Sequence, residues 1–243
     1  MRVLTWNLFH GRAVPDRRRS LLAEFSSAIA GWEWDVALLQ EVPPWWPPHL
    51  GRAAGASART ALTSRNWLLG VRRVVADRRP DLAKSNGGGS NAILVRGQAI
   101  LDHRLRRLRR LPERRVVHAV RLADGSWVAN VHAQVHSEQR AQADLALAGH
   151  TVLGWSGGGP ALLGGDANVR DPRVPGFARL GGHGVDHVLG HGFAAEGPAH
   201  APDRGGLSDH APVLVDVRRE GCAPGGVLGG ESDPITRSRR HRP

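Results

Sequence analysis

One domain in which many short strands are interleaved with a few helices is the class the sequence predicts. Three observations predict it. The 243 residues suffice for one large core, and α/β or two-sheet domains commonly reach this size undivided. Apolar residues recur in short segments with the two-residue period of strands, and only two stretches carry a helical pattern. No segment repeats at a fixed period, and the glycine runs 87–89 and 157–159 give way to apolar strands, so they read as loops within a domain.

Composition narrows the class further. Hydrophobic residues make up 41% of the chain, and no apolar stretch approaches the roughly 20 residues a membrane helix needs. No membrane span is expected. The opening MRVLTWNLF alternates like a strand and lacks the pattern of a secretory signal. Cys222 is the only cysteine, which rules out an internal disulfide and a cysteine zinc site and makes the cytoplasm the expected compartment. The net charge of +11 favours polyanions: nucleic acid, phosphorylated metabolites or anionic lipid head groups. Every basic residue except Lys84 is arginine, however, so the charge reflects the habit of the whole chain as much as a binding face. Tyrosine is absent.

The elements follow in order. Arg2 to Leu8 (RVLTWNL) reads as a strand with Val3, Thr5 and Asn7 on one face, and a helical stretch runs from Leu21 to Ala30. DVALLQEV is an apolar strand of the doubly covered kind that ends at Glu41. PPWWPP (Pro43 to Pro48) is expected to break any regular element, with Trp45 and Trp46 packing over the loop in preference to stacking on bases or entering a lipid interface. Strands are expected at Trp67 to Val71, Asn91 to Arg96, Val116 to Leu122 and Trp127 to His132. A helix over Ser137 to Leu153 comes next, then strands at Leu162 to Leu163, Val185 to Leu189 and Pro212 to Val217. RLRRLRRLPERR (Arg104 to Arg115) reads as a solvated edge or hairpin rather than a phosphate-tracking surface. Residues 1–219 form the domain, and 220–243, rich in Gly, Pro, Ser and Arg without apolar period, form a disordered tail.

The chemistry gathers where strands end. LLGGDANVRD (Leu162 to Asp171) drives an apolar run into two glycines and then presents Asp166 and Asn168 together. Asn7 and Glu41 close two other strands. WVANVHAQVH adds Asn130 and His132, GVDHVL adds Asp186 and His187, and GLSDHAPVLVDV places Ser208, Asp209 and His210 just before a strand. Singly, each is an ordinary turn former, cap or core histidine. Together they offer oxygen ligands from Glu41, Asp209 and Asn7 for a hard cation such as Mg²⁺, beside histidines that can stabilise a phosphoryl oxygen or protonate a leaving group.

In this order, LTWNLF, LLQEV, NVHAQVH, GGDANV, VDHVL and LSDHAPV resemble the successive motifs of the endonuclease/exonuclease/phosphatase superfamily, whose fold is that of deoxyribonuclease I. The match spans about Arg2 to Val217. The resemblance implies an α+β fold, a four-layered α/β/β/α sandwich of two mixed β-sheets with the active site at one end of the sheets. It further implies that Glu41 holds the catalytic metal with help from Asn7 and Asp209, the metal being Mg²⁺ with Mn²⁺ as a substitute. Asp166 and Asn168 would position or activate water and bind the scissile phosphate. His210 would contact the phosphate while Asp186 fixes its tautomer, and His132 would sit on the other side. The reaction implied is in-line attack of water on a phosphorus ester, with no covalent intermediate.

The sequence also departs from the pattern. Many nucleases of this superfamily carry a mid-chain tyrosine on the phosphate, and none exists here. The usual arginine falls on Arg114 or Arg115, with Arg115 taken as substrate-binding. HGR after Asn7 does not separate substrates, and Gln134, His136, Arg140 and Gln142 are expected to be structural. The expected activity is that of a monomeric metal-dependent phosphodiesterase, most simply an endonuclease. A phosphatase or phosphodiesterase acting on a small molecule or lipid head group is the alternative, and an inactive polyanion-binding relative is a third reading.

Overall fold

The computed structural model describes residues 1–17, 19–63 and 89–221. The strand expected at Trp67 to Val71 and nearly all of the expected tail lie outside them. Along β1 (Arg2–Asn7) alternate side chains part to opposite faces, as the pleat requires. Leu4 and Trp6 pack under α1 (Leu22–Gly31) and α2 (Pro47–Ala53), while Val3 joins an apolar layer between two sheets. The same division holds in β2 (Val36–Val42): Ala37 and Leu39 face the helices, Val36 and Leu38 the other sheet.

Each sheet has six strands, in the orders β11-β12-β1-β2-β4-β3 and β5-β6-β7-β8-β10-β9. The first comprises β1, β2, β3 (Ser57–Leu62), β4 (Ser90–Val95), β11 (Phe193–Ala195) and β12 (Val213–Arg219). The second comprises β5 (Ile100–Arg109), β6 (Arg115–Leu122), β7 (Trp127–His132), β8 (Ala161–Asp166), β9 (Ala178–His183) and β10 (Asp186–His191). Both sheets are mixed. β1 and β2 are parallel and joined through α1; β7 and β8 are parallel and joined through α3 (Glu138–Ser156). A parallel pair cannot be closed by a tight turn, so the chain needs a helical crossover at those two places. α3 covers the outer face of the second sheet through Ala141, Leu145, Ala148 and Val152, so the layers run helix, sheet, sheet, helix as expected. No helix among the described residues is long and apolar enough to cross a membrane.

Three strands had no strand expectation, β3, β9 and β11, and β5 was expected only as the edge or hairpin of the basic run. All are sheet edges. An edge strand is paired and covered on one side only, so its sequence need not carry the apolar alternation of a central strand. The basic run becomes β5 and its hairpin with β6, and three of its arginines are fastened: Arg109 pairs with buried Asp144 at 2.9 Å, Arg106 donates to Thr151, and Arg104 lies over Trp127.

PPWWPP is a correction, because it does not exclude regular structure. α2 starts at Pro47, and prolines fit the first helical turn, where the backbone N–H would have no intrahelical partner. Trp46 is buried against Phe25 with ring centroids 5.5 Å apart, and Trp45 is half-buried on the same core, so both pack as expected. Gln142 exchanges hydrogen bonds with the backbone of Arg173, and Ser137 caps α3 by accepting from the Arg140 N–H. These contacts fasten the head of α3 to the loop that carries Arg173.

Candidate active site

The strands that end in polar residues all end on one side of the sandwich. Asn7 is in register with Gln40 across β1 and β2. In the second sheet His132 is in register with Asp166, and Asp166 with Asp186, so three side chains stand in one row across β7, β8 and β10.

Asp166 is the hub of this row. Its Oδ2 accepts from Asn7 Nδ2 at 2.9 Å and lies 3.4 Å from His132 Nε2 and 3.8 Å from His210 Nε2. Its Oδ1 accepts from the Asn168 N–H at 3.0 Å, and Asn168 donates its amide to Ala133 O at 3.0 Å. The glycines ahead of Asp166 now have a reason. Gly165 has φ +139, and a Cβ there would fall 1.9 Å from Val131 O; one at Gly164 would fall 2.7 Å from Leu38. Only glycine lets β8 run this close to β7 and the facing sheet.

Glu41 arrives by a different device. β2 and β4 lose register between Leu39 and Val42, and Glu41 takes φ +50 within that bulge. Such an irregularity re-aims a side chain that a flat strand would send elsewhere. Its carboxylate lies 3.1 Å from His10 Nε2 and 3.9 Å from His132 Nε2. Sequence reasoning missed His10. Asn7 Oδ1 accepts from the Phe9 N–H, which starts a 3-10 turn at Phe9–Gly11 that folds His10 back. No periodic pattern announces that turn.

His210 is held from several directions. Its Nδ1 meets Asp186 Oδ2 at 2.8 Å, its backbone N–H donates to Ser208 Oγ, and its carbonyl accepts from Trp6 Nε1. Ser208, at φ +60, donates its hydroxyl to Asn7 O at 2.7 Å and so ties this loop to β1. Asp209 is exposed beside it. Arg114 is exposed, whereas Arg115 is 5% exposed, pairs with Glu113 at 2.7 Å and feels the charges of Glu41 and Asp166; its Nε is buried without a partner among the described residues.

These contacts polarise the site. Burial opposes charge on His210, but the hydrogen bond to Asp186 and the charges of Asp186, Asp166 and Asp209 outweigh it and push its pKa up to about 9. Burial, then the Asp186 charge, pushes Asp166 up to about 6 against the pull of His210 and Asn7. Burial, reinforced by Arg115, His210 and His10, holds His132 well below the usual histidine range. One histidine is thus an imidazolium and the other neutral, within 4 Å of the same carboxylate.

The donor chemistry fits a hard divalent cation. Glu41, Asp209 and the Asn7 amide are oxygen donors, the kind Mg²⁺ selects. Asp186 Oδ1 is a buried oxygen without a partner among the described residues, and Asp166, Asp186 and His210 each bring one ligand atom within 4.8 Å of the others.

A sequence model of the endonuclease/exonuclease/phosphatase family matches residues 4–210. The chain belongs to that family. Among curated proteins, none matches its sequence. Solved structures of the same fold include a conserved protein of unknown function from Enterococcus faecalis, 17% identical, with TM-score 0.66 over 90% of this chain and 100% of that one. TDP2 from Caenorhabditis elegans is 16% identical, with TM-score 0.60 over 89% of this chain and 73% of that one. A mannosyl-6-phosphatase from Bacteroides thetaiotaomicron is 14% identical, with TM-score 0.64 over 90% and 99%. Within the family fold, the structure gathers Asn7, Glu41, His132, Asp166, Asn168, Asp186 and His210 at one end, leaves Asp209 exposed there, and adds His10.

Proposed function

We propose that this member of the endonuclease/exonuclease/phosphatase family is a divalent-metal-dependent phosphodiesterase that acts by in-line attack of water, most simply an endonuclease. The observation that carries the reading is the row His132, Asp166 and Asp186 closed by His210, facing a Glu41 that a bulge directs to the same end.

In this reading Glu41, Asn7 and Asp209 hold Mg²⁺, or Mn²⁺ in its place. When bound, the ion neutralises charge developing on the phosphoryl oxygens. The Asp166, Asp186 and His210 group serves otherwise, since the Nδ1 of His210 is engaged by Asp186 and its raised pKa keeps the ring protonated. His210 therefore binds a phosphate oxygen as a cation, and the Arg115 guanidinium, whose Nε has no partner among the described residues, adds a second positive charge beside it. Asp166, raised toward neutrality, takes a proton from the attacking water, with Asn168 orienting it. His132, held neutral, orients the phosphate from the opposite side.

A second reading keeps this chemistry and changes the substrate to a phosphorylated small molecule. The absence of tyrosine from the chain and the likeness to a sugar phosphatase favour it. Retention of Glu41, Asp166, Asn168, Asp186, Asp209 and His210 speaks against an inactive binding relative. The test is nicking of supercoiled plasmid with Mg²⁺ or Mn²⁺, against EDTA and His210→Ala. Metal-dependent nicking lost in the variant supports the nuclease. No nicking with any metal, together with phosphate release from sugar phosphates, moves the assignment to a phosphatase.

A further inference from the structure

The bulge that aims Glu41 is held from the other sheet. Leu39 pairs with Ala92 and Val42 with Ser90, so Gln40 and Glu41 together stand opposite Asn91. A bulge of this kind interrupts the ladder and leaves backbone groups to be satisfied by other means. Asn130, fully buried in the middle of β7, supplies them. Its Nδ2 donates to Leu39 O and to Ala92 O, both at 2.9 Å, which are the carbonyls of the last register pair before the break. Its Oδ1 accepts from Gln40 Nε2 at 2.8 Å. One primary amide thus satisfies a carbonyl on each of the two strands and anchors the side chain next to Glu41. Gly164 is the register partner of Asn130 on β8, and the absence of a Cβ there lets Leu38 come close, so the sheets are near enough for the amide to reach.

We propose that Asn130 is a positioning residue: by clamping the Leu39 and Ala92 carbonyls it sets the bulge that directs the Glu41 carboxylate into the site. Two residues along β7 stands His132, so the same amide also fixes Glu41 relative to His132. The inference rests on the reading that Glu41 holds a divalent cation. Asparagine is required because the position needs two donors and one acceptor in a short side chain. Aspartate keeps the shape and loses both donors; leucine loses all three.

The test compares the full chain with Asn130→Asp, and with Asn130→Ser should the aspartate variant not fold. Calorimetric titration with Mn²⁺ alone is expected to show affinity weakened about tenfold or more, as for other groups that orient a metal ligand. In a Glu41→Gln background Asn130→Asp is expected to add no further loss, since both act through one carboxylate. In the metal-free chain, amide exchange at residues 40–42 is expected to speed up while β10 and β12 stay protected. Unchanged Mn²⁺ affinity in a variant that is merely less stable would overturn the proposal, and so would unchanged exchange at the bulge. Should the parent chain bind no Mn²⁺, the metal reading of Glu41 fails, while the exchange result still decides whether Asn130 holds the bulge.

Discussion

Asp186 and His210 meet at 2.8 Å across the end of the second sheet, the carboxylate from β10 and the imidazole from the loop before β12. Each fixes the other's orientation, and Asp166 lies 3.8 Å beyond on the far ring nitrogen.

A pH profile follows from that contact. With a folded pKa near 9, His210 is charged at neutral pH, and its hold on phosphate is complete below the ordinary histidine range and fades as pH rises through about 9. Asp186→Asn removes the main cause that raises the pKa. The alkaline limb of kcat/KM for phosphoester cleavage is expected near pH 9 in the parent and at lower pH in Asp186→Asn, with kcat/KM down about a hundredfold. A limb that does not move would separate Asp186 from the titration of His210.

His118 sets an acid limit on stability. It is fully buried on β6, its Nδ1 3.2 Å from His103 Nε2, and burial, then the His103 charge, pushes its pKa down to about 3. The unfolded chain takes a proton there near pH 6.5 and the folded chain does not. Its neutral form is therefore accommodated without loss above pH 6.5, and stability falls as pH drops toward about 3, by roughly 1.4 kcal/mol per unit. Urea unfolding of His118→Leu between pH 6.5 and about 4 is expected to show a shallower acid slope than the parent; an equal slope would assign the limb to other groups.

Two glycines respond in opposite directions to the same change. Gly165→Ala forces a Cβ against Val131 O at φ +139, and a loss of about 3 kcal/mol or more is expected from overpacking and backbone strain together. Gly154, exposed in α3 with nothing within 4 Å of an added Cβ, is expected to gain about 0.5–1 kcal/mol as alanine. Chemical denaturation of both variants checks the pair.

Arg109 and Asp144 test whether the basic strand is structural. Asp144 is 2% exposed and accepts from Arg109 and from the Gln134 N–H. Arg109→Met is expected to cost about 3 kcal/mol by leaving a buried carboxylate unpaired, and Asp144→Asn in the same chain to restore part of it. Additive losses in thermal unfolding of the double variant would show that the two do not act as a pair.

The central strands and the two long helices are legible in the sequence because their signal is local. Trp127–His132 is a short, largely apolar run buried along its whole length, and α3 shows Ala141, Leu145, Ala148 and Val152 at helical spacing. The edge strands are not legible for the converse reason. β9, with glycines at 181 and 182, is a strand only because β10 lies beside it. The prolines around Trp45 and Trp46 read as a break, since the tolerance of a first helical turn for proline depends on where the helix starts.

At the site, the sequence by itself determined which groups exist and that they stand at strand termini: carboxylates where strands close at Glu41 and Asp166, and an imidazole just before a strand at His210. Their meeting was decided by tertiary structure. Tertiary structure decided that β6 buries Arg115 and leaves Arg114 exposed. The approach of His10 to Glu41 came from a turn with left-handed backbone, and the direction of Glu41 from a bulge whose Leu39 carbonyl is held by Asn130, 91 positions from Leu39. Ser208 and Asn7 stand 201 positions apart, and no period of 2 or 3.6 residues encodes such a contact. Periodicity records which face of an element is buried. Which side chain stands opposite which is settled only when two sheets pack and every buried polar group has to find a partner.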